Sequence, residues 1–504
     1  LRKASNQKHR EPHNPELKAA HNHIQNQYKR ILRKKKQNNI SNNLQQLEDA
    51  LQENSFWEVW NHMGTRPKKN PLHIQNGNIW RNYFKDLYKE IPPCEQTPEQ
   101  KNIQAKLHAL EEKIKDFQTP LDAPMTPQEI AEKIKDLQCK KAAGTDGILL
   151  EMIKYGPPET HAAIAKLFNL ALSVGHFPQA WNQGLITPIY KSGDRYDQAN
   201  YGGICVGSTL GKLFNSILNR RILTFLTQHN VLSQSQAGFL PNHRTTDHIY
   251  TLHSLIRDHV HNTKQGKIFA CFVDFKKAFD SVWHPGLFLR LLESGIGGKT
   301  YDVIKSSYTG NQCSIKVNGK RSFRQGRGVR QGCSLSPTLF NIYINELAAA
   351  LDSSPAPGLS LHDTEVKFLL YADDLLLLSP TESGLQAKLA VLEKYSTTWA
   401  LPINPNKTKI MVFQKRNSKQ SQTPSFLLNN LALSHTDRYT YLGLEISQSG
   451  SFKPAVAALK DKACRTFYAI RRHLFHLKPP VRVWLKIFDS VIAPILLYGS
   501  EVWG

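Results

Sequence analysis

The chain has 504 residues, 40% of them hydrophobic, which is enough for about two to four domains with real cores and excludes a disordered tail. Its formal net charge of +24 predicts a polyanionic partner such as nucleic acid, with a membrane surface as the rival. No apolar run reaches the roughly 20 residues of a spanning helix, and no signal peptide is evident. The seven cysteines form no C-x-x-C pair, which favours reduced thiols over a zinc knuckle.

The N-terminal quarter is basic first and aromatic later. Residues 1–43, which include the run "YKRILRKKKQ", are predicted to be a solvated helix, a disordered arm or an electrostatic contact with nucleic acid, and the sequence does not choose among these. Aromatic residues at helical spacing follow and are typical of core packing. They are Trp57, Trp60, Trp80, Phe84 and Tyr88. The proline-rich stretch from Pro92 to Pro127 is then predicted to be a linker.

From Thr126 onward the pattern mixes helices and strands. Thr126 is predicted to be the N-cap of a helix, with Pro127 at its first position and Glu129 closing a capping box. A strand is predicted over residues 184–191 and a long amphipathic helix over residues 208–228.

A continuous apolar run, Ile268–Val273, is next along the chain. Its length and composition predict a strand that is covered on both faces. Since the run ends directly at Asp274, that carboxylate is expected to lie on a rigid platform at the exit of the strand.

Two adjacent carboxylates, Asp373 and Asp374, lie between the short apolar runs 369–372 and 375–378. This pattern predicts a hairpin with both carboxylates at its tip. In a turn, aspartates ordinarily bond only their own backbone. Together with Asp274, however, they could form a rim of oxygen ligands for two hard divalent cations, the arrangement used for phosphoryl transfer.

Eight segments in order resemble those of the reverse transcriptase of a non-LTR, LINE-type retrotransposon, over roughly residues 126–504. They are "KKAAGTDGI", "NQGLITPIYKSGD", "SQAGFLPNHRTTDHI", "FVDFKKAFDSV", "GVRQGCSLSPTLFNIYIN", "YADD", "LPINPNKTKIMVF" and "YLGLEIS". The resemblance implies an α+β right-hand polymerase fold. Fingers and palm would cover residues 126–446, a thumb and the start of a C-terminal region residues 447–504, and a basic helical extension and linker residues 1–125.

The same resemblance assigns the metal site. It implies two Mg²⁺ ions, with Mn²⁺ as the alternative ion, held by the catalytic carboxylates Asp274, Asp373 and Asp374 and by the backbone carbonyl of Phe275. Phe279 would be an aromatic plate beneath the sugar of the incoming nucleotide that leaves no room for a 2′-hydroxyl. The alternative is that Phe279 is only a core residue of a helix.

Further nucleotide contacts are implied at Gln331 and Gly332, whereas Asp280 could equally be a helix cap. The family often has an arginine where this chain has Gly202. If the glycine is a lesion, an arginine placed there is expected to improve nucleotide binding, and no effect would mean that other basic residues already hold the phosphates. Lys407 matches a lysine that could protonate pyrophosphate, or else it is a solvated loop residue. The residues expected to replace the missing arginine are Lys191 and Arg195.

Nucleic-acid contacts are implied in two places. The hairpin at Tyr441, Leu442 and Gly443 would grip the primer end. A basic amphipathic helix near the C-terminus would follow a duplex backbone, with generic solvated charge as the alternative. Its basic residues are Lys460, Lys462, Arg465, Arg471 and Arg472.

The resemblance therefore implies an RNA-directed DNA polymerase that acts in the nucleus and cytoplasm and has no membrane partner. Its partners would be an RNA template, a DNA primer or nicked target DNA, and deoxynucleoside triphosphates. An endonuclease domain upstream is usual in the family, and this chain shows none. A decayed remnant that binds nucleic acid without catalysis is the alternative, and a metal-dependent phosphatase or nuclease explains fewer of these residues.

Overall fold

The computed structural model describes residues 2–52, 77–114, 117–263, 266–315, 322–415 and 424–504. The predicted aromatic pair Trp57 and Trp60 lies outside these ranges. The described residues form two compact units. The first unit takes residues 2–52 with Lys453–Ser500, and the second takes residues from 77 to 452 with Glu501–Gly504.

The named strands of the described ranges lie between residues 183 and 447, with helices before, among and after them. The α-helices are Arg2–Arg10, Pro15–Gln52, Gly77–Leu87, Pro98–Lys113, Pro127–Asp136, Leu150–Lys154, Pro158–Val174, Thr209–Gln228, Thr245–Ile256, Ala278–Ser281, His284–Glu293, Gly298–Thr309, Ser336–Asp352, Glu382–Thr398, Lys453–Leu474, Val481–Ile487, Ala493–Leu496 and Ser500–Trp503. The strands are β1 (Gln183–Tyr190), β2 (Tyr201–Val206), β3 (Ile268–Val273), β4 (Gln312–Ile315), β5 (Ser322–Arg324), β6 (Leu359–Leu361), β7 (Thr364–Val366), β8 (Phe368–Tyr371), β9 (Asp374–Ser379), β10 (Lys409–Phe413), β11 (Leu427–Leu428), β12 (Leu431–Ala432), β13 (Ser434–His435), β14 (Arg438–Tyr441) and β15 (Leu444–Ser447).

The first unit is helical. The second half of helix Pro15–Gln52 packs on the C-terminal helices through the fully buried Leu47, which joins a cluster with Ile470 and Ile487. Residues 26–39 of the same helix are all exposed. The basic N-terminal segment is therefore a solvated helix rather than a disordered arm, and its contact with nucleic acid stays a prediction.

The segment predicted to be a linker is part of the core of the second unit, so that prediction is wrong. Three of its prolines begin helical turns, and Pro98 is the first residue of helix Pro98–Lys113 behind a Thr97 capping box. Ile103 and Leu107 of this helix lie in the largest hydrophobic cluster. A proline-rich composition can therefore belong to a packed helix as well as to a linker.

The upstream aromatic residues pack as predicted. Trp80, Phe84 and Tyr88 are at most 3% exposed and form a cluster with one face of a four-stranded sheet of order β2-β1-β4-β5. In this sheet β1 is antiparallel to β2 and parallel to β4. The predicted strand over residues 184–191 is thereby confirmed as β1.

A five-stranded sheet of order β13-β10-β3-β9-β8 forms the centre of the second unit. All six residues of β3 are buried, and its antiparallel neighbours are β10 and β9, which confirms a strand covered on both faces. Helices Ser336–Asp352 and Glu382–Thr398 contribute fully buried side chains to the cluster around this sheet, among them Leu339, Phe340 and Leu385. Each such side chain contributes roughly 1.5–3 kcal/mol through burial, so the sheet is a firm support for groups at its edge.

The helix after Thr126 begins as predicted but its capping box is not closed. Thr126 accepts a hydrogen bond from the Glu129 backbone, and Pro127 is the first helical residue. The Glu129 carboxylate instead forms a two-pronged ion pair with Arg221, at 3.0 and 2.6 Å. Arg221 belongs to the long helix Thr209–Gln228, and such a paired geometry is stronger than a local cap because both carboxylate oxygens are used.

None of the described helices is long and apolar enough to cross a membrane.

Candidate active site

Asp274 follows β3 and its backbone is fixed from both sides. The Asp274 amide donates to the Thr408 hydroxyl at 3.2 Å. The next residue, Phe275, forms an isolated antiparallel bridge with Ile403. The two bonds of this bridge, each 2.7 Å, use the backbone groups of the residues on either side of Phe275. The Phe275 carbonyl is left out of the pairing, which suits the prediction that it is a metal ligand.

The hairpin of β8 and β9 carries the other two carboxylates. Tyr371 pairs with Asp374 across a two-residue loop of Ala372 and Asp373, so Asp373 is in the loop and Asp374 opens β9. Ala372 has a φ of 56°, and its amide donates to the Gln236 side chain at 2.8 Å. The predicted hairpin is confirmed, and a side chain from another segment holds its loop in place.

Strand register brings the three carboxylates to one end of the sheet. β3 is antiparallel to β9 with Val273 opposite Leu375, and continuing that register by one residue sets Asp274 beside Asp374. In the described part of the chain, no group of three or more His, Cys, Asp or Glu side chains stands in a metal-holding arrangement. The backbone therefore brings donors of the right chemistry close enough for their charges to interact, although the side chains do not converge on one point.

The electrostatics of this edge are those of crowded like charges. Burial raises the pKa of Asp373, with the charge of Asp274 acting in the same direction and that of Lys191 in the opposite one. Burial and the charges of Asp373 and Asp274 raise the pKa of Asp374 to about 6. Nearby cations would relieve this repulsion, so the donor set fits divalent metal ions.

Phe279 lies in the short helix Ala278–Ser281 and is half-buried. Its ring stacks on Phe340, with centroids 4.6 Å apart and planes at 14°, and the exposed Phe239 meets it edge-on at 6.1 Å. Part of the ring thus packs on the core, as the alternative interpretation expected, and part remains open. The role of this ring as a plate under a sugar stays a prediction.

The loop from Gly328 to Gly332 runs close to two other segments, which explains both glycines. Gly328 has a φ of 84°, and a Cβ there would lie 2.6 Å from the Asp280 carbonyl. Gly332 has a φ of 104°, and a Cβ there would lie 3.0 Å from the Cys205 carbonyl on β2. Between them, the Gln331 side chain donates to Asp280. Asp280 is therefore a buried acceptor and not a helix cap.

The predicted phosphate-binding residues differ in where they lie. A Cβ at Gly202 would meet the Lys191 Cε at 2.7 Å, so the Lys191 side chain lies over the gap that Gly202 leaves. Lys407 is exposed. Burial is the main cause that lowers the pKa of Lys277, and the positive charges of Lys191 and Lys407 lower it further. Lys191 and Lys407 thus surround one region near the carboxylates. Arg195 instead packs its guanidinium over the Tyr190 ring at 5.1 Å.

The hairpin of β14 and β15 lies beside the carboxylates. Its two loop residues, Leu442 and Gly443, both have positive φ, at 47° and 86°. Tyr441 is buried, and Tyr439 stacks on Phe272 of β3 at 4.2 Å. Burial and the charges of Asp374 and Asp274 raise the pKa of Tyr439 to about 12. The predicted hairpin is confirmed, and its grip on a primer stays a prediction.

In the first unit, helix Lys453–Leu474 is amphipathic as predicted. Its buried face includes Leu459, Ala463 and Ile470. The basic residues on the opposite side are all exposed: Lys460, Lys462, Arg465, Arg471 and Arg472.

Sequence reasoning missed Gln236 and Tyr88 as parts of the site. Gln236 is 2% exposed, and its side-chain oxygen accepts from the amides of Gly238 and Ala372. The available signal was a polar residue two positions before a glycine, Gly238, and the structure shows that a Cβ at Gly238 would collide with the Ala372 backbone. Tyr88 carried no signal, because its hydroxyl meets a residue far away in sequence.

Comparisons with known proteins show which family this chain is similar to. Residues 190–446, about half of the chain, match the family described as "Reverse transcriptase (RNA-dependent DNA polymerase)". The chain is 26% identical to "RNA-directed DNA polymerase from mobile element jockey" of Drosophila funebris, over 97% of this chain and 54% of that protein. It is 28% identical to "Probable RNA-directed DNA polymerase from transposon BS" of Drosophila melanogaster, over 78% of this chain and 44% of that protein.

A further relative is the "Retrovirus-related Pol polyprotein from type-1 retrotransposable element R2" of Popillia japonica. It is 29% identical over 75% of this chain and 52% of that protein. The chain thus spans about half the length of the curated relatives it matches.

Proposed function

Since the chain belongs to the reverse transcriptase (RNA-dependent DNA polymerase) family, we propose that it extends a DNA primer along an RNA template, as part of a LINE-type retrotransposon. The observation that carries the proposal is the register of β3 and β9, which sets Asp274 beside the Asp373–Asp374 turn at the end of a buried sheet. Carboxylates so crowded suit the two-ion chemistry of nucleotidyl transfer.

We assign the right-hand architecture as follows. The five-stranded sheet is the palm, the four-stranded sheet with its helices forms the fingers, and residues 447–504 are the thumb and the start of a C-terminal region. Fingers and palm keep their proposed range of residues 126–446. The packing of residues 77–125 on both sheets supports including this segment in the same unit, and we call it the N-terminal brace.

Asp274, Asp373 and Asp374, with the Phe275 carbonyl, would hold two Mg²⁺ ions, and Mn²⁺ is the alternative. Bound metal supplies charge neutralisation to the attacking and leaving oxygens of a phosphoryl transfer. Side chains of the protein bind and orient the nucleotide. Lys191 and Lys407 attract the triphosphate, Gln331 and Gly332 line the nucleotide, and Phe279 limits the space at its sugar. Arg195 lies in the loop that joins β1 and β2, with its guanidinium over the Tyr190 ring. It would contact phosphate only at the far end of this hairpin.

Lys191 is expected to be the cation that replaces the arginine missing at Gly202. The change Lys191→Ala should raise the KM for deoxynucleotides about tenfold, because a charge-assisted contact of roughly 1.5 kcal/mol is lost. Gly202→Arg alone should bring no gain, since the arginine would displace the Lys191 side chain that lies over residue 202. The same Gly202→Arg change in the Lys191→Ala background should restore the KM. Steady-state single-nucleotide incorporation measures all four proteins.

A lower KM in the Gly202→Arg protein that retains Lys191 would contradict this arrangement and would indicate that both cations fit at once.

The proposed partners are an RNA template and a DNA primer or nicked target DNA, met in the nucleus and cytoplasm, with no membrane partner. The exposed basic face of helix Lys453–Leu474 supports a contact with the nucleic-acid backbone, as does the exposed basic stretch of residues 26–39. The logarithm of the binding constant falls linearly with the logarithm of the salt concentration, and each neutralised phosphate of a duplex steepens this slope by about 0.9.

The double change Arg471→Ala with Arg472→Ala is expected to reduce that slope by about 1.8 for a primer–template duplex, because two phosphate contacts are lost. Fluorescence anisotropy at several salt concentrations measures it. Lys101→Ala with Lys106→Ala, two exposed charges on helix Pro98–Lys113, is the matched control and should leave the slope unchanged. An unchanged slope in the arginine variant would mean that these are merely solvated charges.

Primer extension by the purified chain tests the function. We expect a DNA primer on an RNA template to be extended with deoxynucleotides and Mg²⁺, and a chelator to stop extension until Mg²⁺ is added back. Salt-sensitive binding of the template without incorporation would instead identify a decayed nucleic-acid-binding remnant. Release of phosphate without extension would indicate a phosphatase, and shortening of the template without extension would indicate a nuclease.

A further inference from the structure

A buried carboxylate joins the N-terminal brace to the proposed nucleotide pocket. Tyr88 lies outside the matched range of residues 190–446, yet its hydroxyl donates to Asp280 at 2.9 Å. Asp280 in turn accepts from the Gln331 amide nitrogen at 2.9 Å to each of its two oxygens. We propose that Tyr88 and Asp280 are positioning residues that fix the orientation of the Gln331 amide toward the incoming nucleotide, an inference that rests on the proposed function.

The burial of Asp280 makes these contacts energetically important. Its side chain is 2% exposed, and an ionised carboxylate in such a place is tolerated only when hydrogen bonds or charges compensate for the lost hydration. Tyr88 and Gln331 together supply three close donor–acceptor contacts. Removing one donor therefore disturbs the remaining ones, because the carboxylate is shielded from solvent.

Tyr88 is held rigidly enough to set a position. Its ring stacks between Phe84 and Phe323, with centroids 6.1 and 6.2 Å away and planes within 15°. Its carbonyl accepts from the Gly326 amide at 2.8 Å, and the neighbouring Leu87 carbonyl accepts from the Arg327 side chain at 2.8 Å. Residues 87–88 are thus pinned to the turn that leads directly into the loop of Gln331.

The network also fixes which end of the Gln331 amide faces the pocket. Because the nitrogen points to Asp280, the oxygen points away, and it lies 3.8 Å from where a Cβ of Gly202 would be, on the side of Lys191. The site therefore presents a carbonyl acceptor beside a lysine. A nucleotide would meet Gln331 through one of its own hydroxyl or amino donors.

Protonation of Asp280 would weaken this arrangement, since the neutral acid is a poorer acceptor and its O–H would either face the donor Gln331 amide or require the Tyr88 hydroxyl to reverse its hydrogen bond. Burial raises the pKa of Asp280, and the hydrogen bond from Tyr88 lowers it, as do nearby positive charges. The titratable and charged groups that face Asp280 are Tyr83, Tyr88, Lys191, Lys277 and Arg327. Without the Tyr88 hydroxyl, Asp280 should take up its proton at a higher pH.

The experiment compares the full chain with Tyr88→Phe, Asp280→Asn and a matched control. Tyr395→Phe is the control, because Tyr395 is as buried as Tyr88 and also donates one hydrogen bond at 2.9 Å, to the Tyr343 carbonyl. We expect Tyr88→Phe to raise the KM for deoxynucleotides about three- to tenfold while kcat stays within about twofold. Asp280→Asn should raise the KM further, since the asparagine side chain ends in one acceptor oxygen and one NH2 group, and the NH2 group is a donor. Tyr395→Phe should leave the KM unchanged.

The pH profile separates positioning from simple destabilisation. In the wild type, the KM is expected to rise on the acid side, and in Tyr88→Phe this rise should begin at a higher pH. A Tyr88→Phe protein with the wild-type KM and the wild-type acid limb would overturn the inference. So would an equal rise in the KM of Tyr395→Phe, because the effect would then be general loss of stability.

A second readout does not depend on polymerisation. The side-chain amide signal of Gln331, identified in ¹⁵N-glutamine-labelled protein by its loss in Gln331→Leu, should shift as Asp280 takes up its proton, at a higher pH in Tyr88→Phe than in the wild type. If the wild type extends no primer, the proposed function fails, and this titration still decides the network. Coincident titrations in the two proteins would refute it.

Discussion

Replacing Asp373 with asparagine is expected to abolish primer extension and to leave RNA binding intact. Asp373 occupies the loop of the β8–β9 hairpin, and removing its charge takes away one of the ligands proposed for two metal ions. The loss of a group that stabilises developing charge in a water-poor site costs about 3 kcal/mol or more, which is at least roughly a hundredfold in rate. Incorporation on an RNA template, compared with template binding by anisotropy, measures both effects.

Asp363→Asn is the matched control for this change. Asp363 is exposed between β6 and β7, so the variant makes the same chemical replacement in a turn that lies outside the proposed metal site. Asp374→Asn should cost less than Asp373→Asn, because Asp374 opens β9 and is the more solvent-accessible residue of the two. Full extension by Asp373→Asn would place the metal ligands elsewhere and would withdraw the two-ion proposal.

The sequence was most informative where burial alone decides structure. The unbroken apolar run of β3 predicted a strand with both faces covered, and the paired runs around Asp373 predicted a hairpin, because such patterns have few other stable arrangements. The register of β3 against β9 is a different matter. It places Asp274 beside Asp374 through hydrogen bonds between distant segments, which no local pattern encodes.

Local patterns misled where a residue has two uses. Proline at the first turn of a helix and proline in a linker look alike in a sequence, so the stretch around Pro98 was interpreted as a linker although it starts a packed helix. Glu129 stands at the third position of a helix, where a capping box is typical, but Arg221 on another helix binds it more strongly. In both cases a contact from outside the segment decides.

The contacts of Asp280 and Gly202 lay beyond sequence reasoning for a related reason. A buried aspartate in a short helix looks like a cap until Tyr88 is seen to approach it across a long separation in sequence. Gly202 looks like a missing side chain until Lys191 is seen to lie over it. Both assignments depend on side chains from distant parts of the sequence, Tyr88 and Lys191. They change the expected effects of Asp280→Asn and Gly202→Arg.

Replacing Phe279 with valine is expected to admit ribonucleotides. The Phe279 ring stacks on Phe340 and meets Phe239 nearly at right angles, and these contacts restrict its rotation away from a larger sugar. Valine removes the ring and leaves space for a 2′-hydroxyl. The ratio of kcat/KM for a deoxynucleotide to that for its ribonucleotide should fall at least about tenfold, which corresponds to roughly 1.4 kcal/mol of lost discrimination.

Loss of the ring also removes packing, and a control must account for it. Phe225→Val removes a partly buried ring that packs against the same hydrophobic cluster, in helix Thr209–Gln228, and should leave sugar discrimination unchanged. If Phe279→Val still rejects ribonucleotides as the wild type does, Phe279 serves the core and not the pocket. The exposed Phe239 would then be the ring to test, because it contacts Phe279 and, unlike Phe340, is open to solvent.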